Sequence, residues 1–303
     1  MKKEKIAILI PCHNEEQGIA KVMDSIPHHT LDKHGFECRV IVIDNNSSDQ
    51  TKEVAESKGA HVLFEEAKGK GNAIRKAFNC IDSDTRYVVM LDGDNTYDPR
   101  EMLRLIEPIA NDFCDVVIGS RLGGKITKNA FKTQNHLANW IYTFLVRCFY
   151  GANITDVLSG YFAWRGDVIV EMRDHLKSDG FSIEMEMVSK LVKLDYSICS
   201  VPISYNVREG ETKIESIKDG LKILFTFSRN LFWSPPKESV GKKKIPSRIL
   251  GNGAEQKSSG ARSGLVLMPS HSTLHNIRDG VKKNVDLLKT VEERETADVL
   301  SRM

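Results

Sequence analysis

"VVMLDGDNTYDP", residues 88–99, is an apolar run that leads directly into two carboxylates, Asp92 and Asp94, with only Gly93 between them. Taken alone, a D-x-D of this kind is more often a polar loop between a strand and a helix than a ligand site. The order of apolar and polar segments on either side of it decides which interpretation the sequence favours.

Apolar, β-branched runs recur at regular intervals through the first 120 residues, with helix-like segments between them. Runs as continuous as these are typical of strands that are covered on both faces. The sequence therefore predicts an α/β fold, a mainly parallel sheet flanked by helices, built from successive strand–helix units. The predicted strands are 6–10, 38–43, 61–64, 87–91 and 115–119, and the predicted helices are 15–27, 48–58, 70–81 and 100–111.

Three polar motifs follow directly after predicted strands. "PCHNEE" (11–16) follows the first strand, "DNNSSD" (44–49) the second and "DGDN" (92–95) the fourth. In parallel sheets, ligands bind outside the carboxyl ends of the strands, near a switch in strand order. We therefore expect the three motifs to meet at one edge of the sheet.

The second half of the chain has a different texture. Residues 121–236 are richer in helix, with aromatic helices at 135–151 and 217–233 and a strand at 196–207. From about Pro235 the composition shifts to Pro, Gly, Ser and Lys, which predicts a flexible linker. The sequence thus predicts a folded domain over residues 1–236, followed by a basic linker and a weakly structured C-terminal tail over 237–303.

Composition narrows the class of protein. The 303 residues are 41% apolar and 28% charged, as in ordinary soluble domains, and a net charge of +2 does not favour a nucleic-acid partner. The six cysteines are widely spaced without a C-x-x-C pair, which indicates reduced thiols rather than disulfides or a zinc site. No 18-residue window is apolar and uncharged, and the first apolar stretch is too short for a signal peptide, so neither a transmembrane helix nor a leader is expected.

Asp92 and Asp94 are spaced so that both side chains can reach one cation in the loop. Their hard oxygen atoms suit Mg²⁺ or Mn²⁺, and Mg²⁺ commonly combines one or two carboxylates with substrate phosphates. Thr96, two residues further along, can add another oxygen. Since a metal held here would neutralise the charge on a departing diphosphate, the pair makes chemical sense if the substrate carries phosphates.

Three other positions have both a ligand-binding and a structural interpretation. Lys70, in "GKG" (69–71) before a predicted helix, fits a phosphate loop, but a basic loop with a glycine cap fits equally well. Asp44 ends the second strand and can accept hydrogen bonds from a base or ribose, whereas "DNNSSD" as a whole also fits a helix N-cap. Arg121, in "GSR" after the fifth strand, is either an anion ligand or a surface arginine.

Seven motifs follow one another in an order that resembles the family 2 inverting glycosyltransferases of the GT-A fold. Within that family the chain is most similar to the polyprenyl-phosphate (dolichyl-phosphate) hexose synthases, over residues 5–233. The motifs are "PCHNEE", "IDNNSSDQT", "GKGNAIR", "LDGDNTYDP", "GSR", "DVLSGYFAW" and "REGETK".

The resemblance implies a nucleotide-sugar donor, a UDP or GDP sugar, and a binding role for several motifs. It assigns Pro11, Asn14 and Glu15 to the nucleotide pocket and Asp44 to recognition of the base. It also implies that the D-x-D carboxylates hold Mg²⁺ or Mn²⁺ on the diphosphate.

The resemblance implies a lipid monophosphate, polyprenyl or dolichyl phosphate, as the acceptor. "DVLSGYFAW" (156–164) resembles the acceptor loop of the family. This similarity assigns Asp156, Ser159 and Gly160 to substrate binding.

The implied reaction transfers a hexose to the lipid phosphate with inversion at the anomeric carbon. The acceptor oxygen is ionised near neutral pH, so no strong general base is required. Glu184 and Glu186 are accordingly interpreted as helix-surface or structural carboxylates. The protein must instead hold two anions together with positive charge. The expected cations are the metal, Arg121 and, on a "REGETK" segment that closes over the phosphates, Arg208 and Lys213.

A lipid acceptor requires access to a membrane surface. The helices 135–151 and 217–233 are expected either to lie in the interface plane or to cover the sheet in the core. Residues 237–262 carry seven Lys/Arg against two Glu, so they are either a membrane-binding segment or a solvated linker. The sequence thus predicts a cytoplasmic protein, peripheral on the cytoplasmic face of a membrane. The expected aromatic face comprises Phe225, Phe227, Phe232 and Trp233.

Two alternative functions remain open. The nearest is a glycosyltransferase that acts on a glycan, a lipid-linked oligosaccharide or a protein, although the absence of a Q-x-x-R-W motif argues against a processive polymerase. The alternative from a different class is a catalytically silent nucleotide-binding scaffold. The intact D-x-D and "REGETK" motifs argue against the scaffold, because a silent protein has no chemical need for both.

Overall fold

A seven-stranded sheet in the order β3-β2-β1-β4-β6-β5-β7 forms the centre of the computed structural model, which describes residues 3–128, 130, 133–210 and 216–236. The strands are β1 (Glu4–Cys12), β2 (Phe36–Asp44), β3 (His61–Phe64), β4 (Thr85–Met90), β5 (Val116–Ile126), β6 (Phe162–Arg165) and β7 (Ile198–Tyr205). The helices within the described residues are α1 (Glu16–Ser25), α2 (His28–Lys33), α3 (Thr51–Ser57), α4 (Lys70–Asn79), α5 (Met102–Ala110), α6 (Thr133–Tyr150), α7 (Gly166–Met172), α8 (Ile183–Lys193) and α9 (Ser216–Leu231).

One strand reverses direction in an otherwise parallel sheet. β1 is parallel to β2 and β4, and β5 is parallel to β7, whereas β6 is antiparallel to both β4 and β5. Because β6 runs the opposite way, its amino end lies at the same edge as the carboxyl ends of its neighbours. The segment that leads into β6 therefore joins the motifs that follow β1, β2 and β4. The predicted α/β fold with a mainly parallel sheet is confirmed.

An apolar cluster covers each face of the sheet. Successive side chains of one strand pack alternately into the two clusters. In β4, Val88 and Met90 point into the cluster packed by α4, α7 and α8, while Tyr87 and Val89 point into the cluster packed by α1 and α5. All four side chains are buried. Strand side chains alternate between faces, so a strand covered on both sides must be apolar throughout. Burial of each such side chain contributes about 1.5–3 kcal/mol, which explains the unbroken apolar runs.

Each of the five strands predicted in the first 120 residues is present, but three short elements were missed. α2, β6 and α7 are six, four and seven residues long, too short for their apolar periodicity to stand out. β6 lies inside the segment interpreted as an acceptor loop. Its residues Phe162, Ala163 and Trp164 are fully buried, because β6 pairs with strands on both sides.

For Glu184 and Glu186, which the sequence predicts to be helix-surface or structural carboxylates, the structure excludes the first alternative and supports the second. Both glutamates lie in the first turn of α8 and are only 4% and 0% exposed. In the fold, α8 is buried around most of its circumference, and each glutamate is paired with a cationic side chain.

α6 and α9 pack against each other, and α9 turns one predicted surface aromatic inward. The hydroxyl groups of Tyr142 and Tyr150 donate hydrogen bonds to the carbonyls of Gly220 and Phe227. The Phe227 ring is buried against Tyr150, so the expectation that it forms part of an exposed aromatic face is wrong. Among the helices that the structure describes, none is long and apolar enough to cross a bilayer.

Candidate active site

The motifs after β1, β2 and β4 meet at one edge of the sheet, as expected. The register aligns Cys12, the last residue of β1, with Asp44, the last residue of β2. β4 lies on the other side of β1, and its chain continues into Asp92 and Asp94. Gly93 fits there because a side chain would meet the Cys12 sulfur, with only 2.4 Å between Sγ and the Cβ position.

Asp94 is held in place by its own loop. Its Oδ1 accepts hydrogen bonds from the Thr96 hydroxyl at 2.6 Å and from the Thr96 amide at 3.1 Å. Asp94 is 4% exposed and Thr96 is 1% exposed, so this turn is rigid and shielded from water. Asn95, between them, adopts a left-handed backbone conformation (φ +62°), which asparagine tolerates better than most residues.

Asp92 lies between a glycine and a lysine. The carboxylate is 2.4 Å from the position that a Cβ at Gly160 would occupy, so any side chain at position 160 would displace Asp92. On its other side, the Lys70 ammonium lies 2.7 Å from Asp92 Oδ1 and 2.8 Å from Glu184 Oε1. Burial lowers the pKa of Lys70, but the charges of Asp92 and Glu184 outweigh it and hold that pKa above its ordinary value. Lys70 is therefore a permanent cation between two carboxylates.

Glu184 is the site residue that the sequence did not identify. Burial raises its pKa, and the charge and hydrogen bond of Lys70 offset only part of that effect. No local pattern in "GFSIEMEM" distinguishes Glu184 from a solvated helix carboxylate. Its position beside the D-x-D depends on how α8 packs against α4, a contact between segments more than 100 residues apart.

The glycines on both sides of Lys70 allow α4 to approach another backbone segment. A Cβ at Gly69 would lie 2.2 Å from the carbonyl oxygen of Asp179, and one at Gly71 would lie 2.2 Å from that of Ser178. Gly69 also has a φ of +129°, which disfavours any side chain. These glycines therefore allow the start of α4 to approach residues 178–179 of the same chain. This contact fixes the position of Lys70.

Glu186 holds that same loop from the other side. Its Oε2 accepts hydrogen bonds from the amides of Lys177 and Ser178 at 2.9 and 2.6 Å, while its Oε1 pairs with Lys190 and Arg229. Burial raises the pKa of Glu186, but the donors around it outweigh burial and bring that pKa below its ordinary value. α8 therefore positions both the side chain of Lys70, through Glu184, and the loop beneath it, through Glu186.

Arg208 connects the end of β7 to the D-x-D. Its Nη2 lies 2.8 Å from Glu15 Oε1 and 3.1 Å from Asp94 Oδ2. The next residue reinforces this contact, since the Glu209 amide donates to the Asp94 carbonyl at 3.0 Å. The other predicted cation of "REGETK", Lys213, lies outside the described residues.

The part of the site predicted to bind the nucleotide consists of the loops after β1 and β2, which are hydrogen-bonded to each other. Asn14 adopts a left-handed conformation (φ +52°) and accepts a hydrogen bond from the Ser48 amide at 2.7 Å. The buried Asp44 carboxylate accepts from the Ser47 amide at 3.2 Å. Pro11 is buried within β1. The side chain of Asn45 ties this pair of loops to the 65–69 segment, because it accepts from the Gly69 amide and donates to the Ala67 carbonyl at 2.7 Å each.

Arg121 and Asp156 form a buried pair below the site, so the interpretation of Arg121 as a surface arginine is wrong. Two guanidinium nitrogens of Arg121 donate to the two oxygens of Asp156 at 2.8 Å each, and Asn139 of α6 donates to Oδ1 at 2.7 Å. Arg121 is 7% exposed and Asp156 is 0% exposed. A bidentate pair of this kind fixes both partners and is expensive to break.

The turn before β6 also packs into the site. Ser159 donates to the Gly119 carbonyl at 2.6 Å, and the Gly160 amide donates to the Tyr97 hydroxyl at 2.7 Å. Tyr97 is 1% exposed. The sequence offered no sign that Tyr97 belongs to this cluster, since an aromatic residue six positions after the predicted strand 87–91 fits an ordinary core position equally well.

Sheet topology and the chemistry of its carboxyl edge together define this protein as a transferase of the GT-A class. Residues 7–172 match the Glycosyl transferase family 2 domain, and the chain belongs to that family. The predicted GT-A fold and the predicted glycosyltransferase activity are therefore confirmed.

Named relatives and a solved structure agree with this assignment. The chain is 32% identical over 252 residues to Glycosyltransferase AglJ of Haloferax volcanii, covering 82% of this chain and 80% of that protein. It is 31% identical over 222 residues to the dolichyl-phosphate hexose transferase of the same organism, covering 73% and 91%. Glucosyl-3-phosphoglycerate synthase from Mycobacterium tuberculosis, solved with Mn²⁺, UDP and glucosyl-3-phosphoglycerate, has the same fold, with a TM-score of 0.58 at 21% identity over 77% of this chain and 82% of that one.

Proposed function

We propose that this family 2 glycosyltransferase transfers a hexose from a UDP or GDP sugar to a polyprenyl or dolichyl phosphate, with inversion and with a divalent metal. The observation that carries the proposal is the convergence of Asp92 and Asp94 with Lys70 and Arg208 at the carboxyl edge of the sheet. Similarity to a dolichyl-phosphate hexose transferase over 91% of that protein's length supports the choice of acceptor.

The D-x-D carboxylates fit Mg²⁺ or Mn²⁺. Asp94 is fixed by Thr96 and Asp92 is held against Gly160, so both are in position before a ligand arrives. Mg²⁺ commonly combines one or two carboxylates with the oxygen atoms of substrate phosphates, so two carboxylates are a sufficient protein contribution. Held by Asp92 and Asp94, the ion supplies charge that stabilises the leaving diphosphate.

The cations beside the carboxylates are assigned to the phosphates of the two substrates. Lys70 and Arg208 each contact one D-x-D carboxylate, so they lie within reach of any diphosphate bound there. Arg208 follows the edge strand β7, where a short segment can move without disturbing the sheet. Lys213, on the same segment, is proposed to act with Arg208.

The nucleotide is proposed to bind over the loops after β1 and β2. Asp44 is buried at the end of β2, where its carboxylate can accept hydrogen bonds from a base. Pro11 in β1, with Asn14 and Glu15 in the loop after it, is proposed to border the same nucleotide site. The interlocking hydrogen bonds between the two loops support this role, because a preformed pocket loses little conformational entropy when it binds a ligand.

The acceptor phosphate is proposed to approach from the side of Arg121 and the turn before β6. Asp156, Ser159 and Gly160 shape that side, and the attacking phosphate oxygen is already ionised, so no general base is needed. Glu184 is engaged by Lys70 at 2.8 Å, which supports a positioning role for this carboxylate rather than proton abstraction.

An apolar surface on α6 and α9, which we call the α6/α9 face, supports access to a membrane. The exposed residues recur three and four positions apart, the spacing of one face of an amphipathic helix. Trp140 and Phe144 stack on each other, with ring centroids 5.9 Å apart. We propose that this face lies in the headgroup region of a membrane. Its exposed members are Leu137, Trp140, Ile141, Phe144 and Phe149 on α6, with Ile217, Leu221, Leu224, Phe225 and, just beyond α9, Phe232.

A panel of radiolabelled nucleotide sugars tests the proposal. Each sugar is offered with polyprenyl phosphate and Mg²⁺, and the lipid product is extracted and counted. Transfer from one UDP or GDP sugar, lost with Asp94→Asn or in EDTA, is the expected result. Label that enters only an added lipid-linked oligosaccharide or glycan would overturn the proposed acceptor. No transfer from any donor to any acceptor would overturn the proposed reaction itself.

A further inference from the structure

Two cysteines that are 85 positions apart in sequence meet in the fold. The Sγ atoms of Cys114 and Cys199 lie 2.9 Å apart. Cys114 lies two residues before the start of β5, and Cys199 is the second residue of β7. Both residues adjoin the apolar cluster on the α1/α5 side of the sheet, and both are free thiols.

The backbone on both sides of the pair is held rigidly. The Asp115 amide donates to the Ser197 carbonyl at 2.9 Å, and Asp115 Oδ2 accepts from the Ser197 amide and hydroxyl at 2.8 and 2.7 Å. Asp115 also pairs with Arg165 of β6 at 2.6 Å. These contacts keep the two thiols together, and the distance between their sulfur atoms must close from 2.9 Å to about 2.05 Å when the bond forms.

The two thiols differ in accessibility and acidity. Cys114 is 6% exposed, whereas Cys199 is partly exposed on the edge strand. Its hydrogen bond to Cys199 raises the pKa of Cys114, and the same bond lowers the pKa of Cys199. Since the thiolate is the nucleophile, Cys199 is the residue that meets an external reagent first, and Cys114 is positioned to react second.

We propose that Cys114 and Cys199 form a reversible disulfide by exchange with a low-molecular-weight disulfide such as oxidised glutathione. The Cys199 thiolate attacks one sulfur of the reagent, breaks its S–S bond and releases one thiolate, which leaves a mixed disulfide on Cys199. Cys114 then loses its proton and attacks the Cys199 sulfur, releasing the second thiolate. The two protein thiols are oxidised, the reagent is reduced to two thiols, and the two protons end on the released thiols.

The disulfide cross-links the edge strand β7 to the start of β5 and takes no part in the transfer reaction. β5 and β7 run parallel, and the cysteines lie at their amino ends, whereas the site lies at the carboxyl edge. Among the described strands β7 is the last of the sheet and pairs along its length with β5, while Tyr205 at its carboxyl end also bridges to Tyr97. A cross-link between strand ends so distant in sequence removes much conformational freedom from the unfolded chain, so it stabilises the fold while leaving transferase activity unchanged.

The test uses the full chain incubated with oxidised glutathione and then with dithiothreitol. We expect two of the six thiols to be lost, a peptide map that links Cys114 to Cys199, and a Tm higher by about 5–15 °C that returns to its starting value on reduction. Cys114→Ser should retain glutathione on Cys199, because its second thiol is missing. Cys148→Ser, which removes an exposed cysteine of α6, should behave like the wild-type chain.

Three results would overturn the proposal. The first is a peptide map without a disulfide between Cys114 and Cys199, in which both thiols remain reactive. The second is a disulfide that involves a different cysteine. The third is a protein that contains the Cys114–Cys199 disulfide but whose Tm does not change. The peptide map is read on the wild-type chain, so the proposal can fail even if a serine variant does not fold.

Discussion

Asp94 is the residue whose loss should weaken the reaction most clearly. It is 4% exposed and is fixed by Thr96, so its carboxylate is preorganised for the metal-binding role proposed above. We expect Asp94→Ala to lower the transfer rate at least about 100-fold, the scale of one preorganised charge-stabilising group. Asp98→Asn is the matched control: it lies in the same loop but pairs with Arg100 on the surface, and its rate should stay within a factor of about two. Full activity in EDTA would contradict the metal-dependent role of Asp94.

Gly160 is predicted to be irreplaceable for steric reasons. A methyl group at this position would lie 2.4 Å from Asp92 Oδ2, so Gly160→Ala must displace the carboxylate. We expect a rate at least about 10-fold lower with little change in Tm, since misplacing a reactive group by about 1 Å can cost up to 100-fold. Gly180→Ala serves as control, because no atom lies within 4 Å of its Cβ position and its φ is ordinary. Equal transfer rates for Gly160→Ala and Gly180→Ala would show that the reaction does not require the Asp92 carboxylate in its present position.

Glu184 and Glu186 should give opposite pH dependences of stability although they lie two residues apart. The pKa of Glu184 is raised above 4.5, so the ionised form costs stability at neutral pH, and that cost disappears as the pH falls towards 4.5. The pKa of Glu186 is lowered below 4.5, so its contribution is present above pH 4.5 and is lost as the pH falls through the folded-state pKa.

Urea unfolding midpoints in EDTA measure these two effects. Relative to Glu184→Gln, the wild-type chain should gain stability between pH 7 and 4.5. Relative to Glu186→Gln, it should lose stability below pH 4.5. The same sign for both variants would show that the two carboxylates do not have the separate environments described above.

At the scale of elements, the segment after β7 is predicted to act mainly in the transition state. Arg208 bridges Glu15 and Asp94 and lies three residues beyond the end of the edge strand β7. We expect Arg208→Ala to lower kcat at least about 10-fold while changing the Kd for the donor less than threefold, because a closing segment contributes after binding. Kinetics beside calorimetry with the nucleotide sugar measure both quantities.

Lys21→Ala is the matched control for that segment. It removes the exposed ion pair with Glu209, one residue from Arg208, without touching the D-x-D. It should leave kcat and Kd close to their wild-type values. Equal losses of affinity and rate in Arg208→Ala would instead show that Arg208 binds ground state and transition state alike.

At the scale of the whole molecule, membrane binding is predicted to have two separable parts. Residues 237–262 carry seven Lys/Arg against two Glu, and this stretch lies outside the described residues. Truncation after Pro236 should weaken co-sedimentation with anionic liposomes and remove most of its salt dependence, because each basic residue near the surface contributes about 1 kcal/mol that salt screens. Activity on short, detergent-soluble acceptors should not change.

The apolar part should depend on the α6/α9 face. Phe225→Ser should reduce liposome binding in high salt, since burial of aromatic surface is not screened. Phe113→Ser is the control, because Phe113 is 76% exposed but lies in the loop between α5 and β5. If the full-length protein ignores anionic liposomes at low salt, the peripheral-membrane proposal fails.

The sequence by itself determined the sheet and the edge at which the site lies. Strands covered on both faces must be apolar throughout, so β1 to β5 were visible as runs, and the polar residues after them could only fall at strand ends. The D-x-D and Asp44 were found because they follow or end an apolar strand, whereas Arg208 was found through the resemblance of "REGETK" to a motif of the family. These features depend on neighbours in the chain, which a linear pattern records.

Only the tertiary structure decided what surrounds those residues. β6 is four residues long and exists because β4 and β5 bind it on both sides. Glu184 reaches Lys70, Asp156 neutralises Arg121, and Cys114 meets Cys199 through contacts between residues 35 to 114 positions apart in the chain. Whether a carboxylate is solvated or buried, and whether an arginine is free or paired, depends on burial and on a partner's charge. Those are properties of the packed chain, so no local run of residues encodes them.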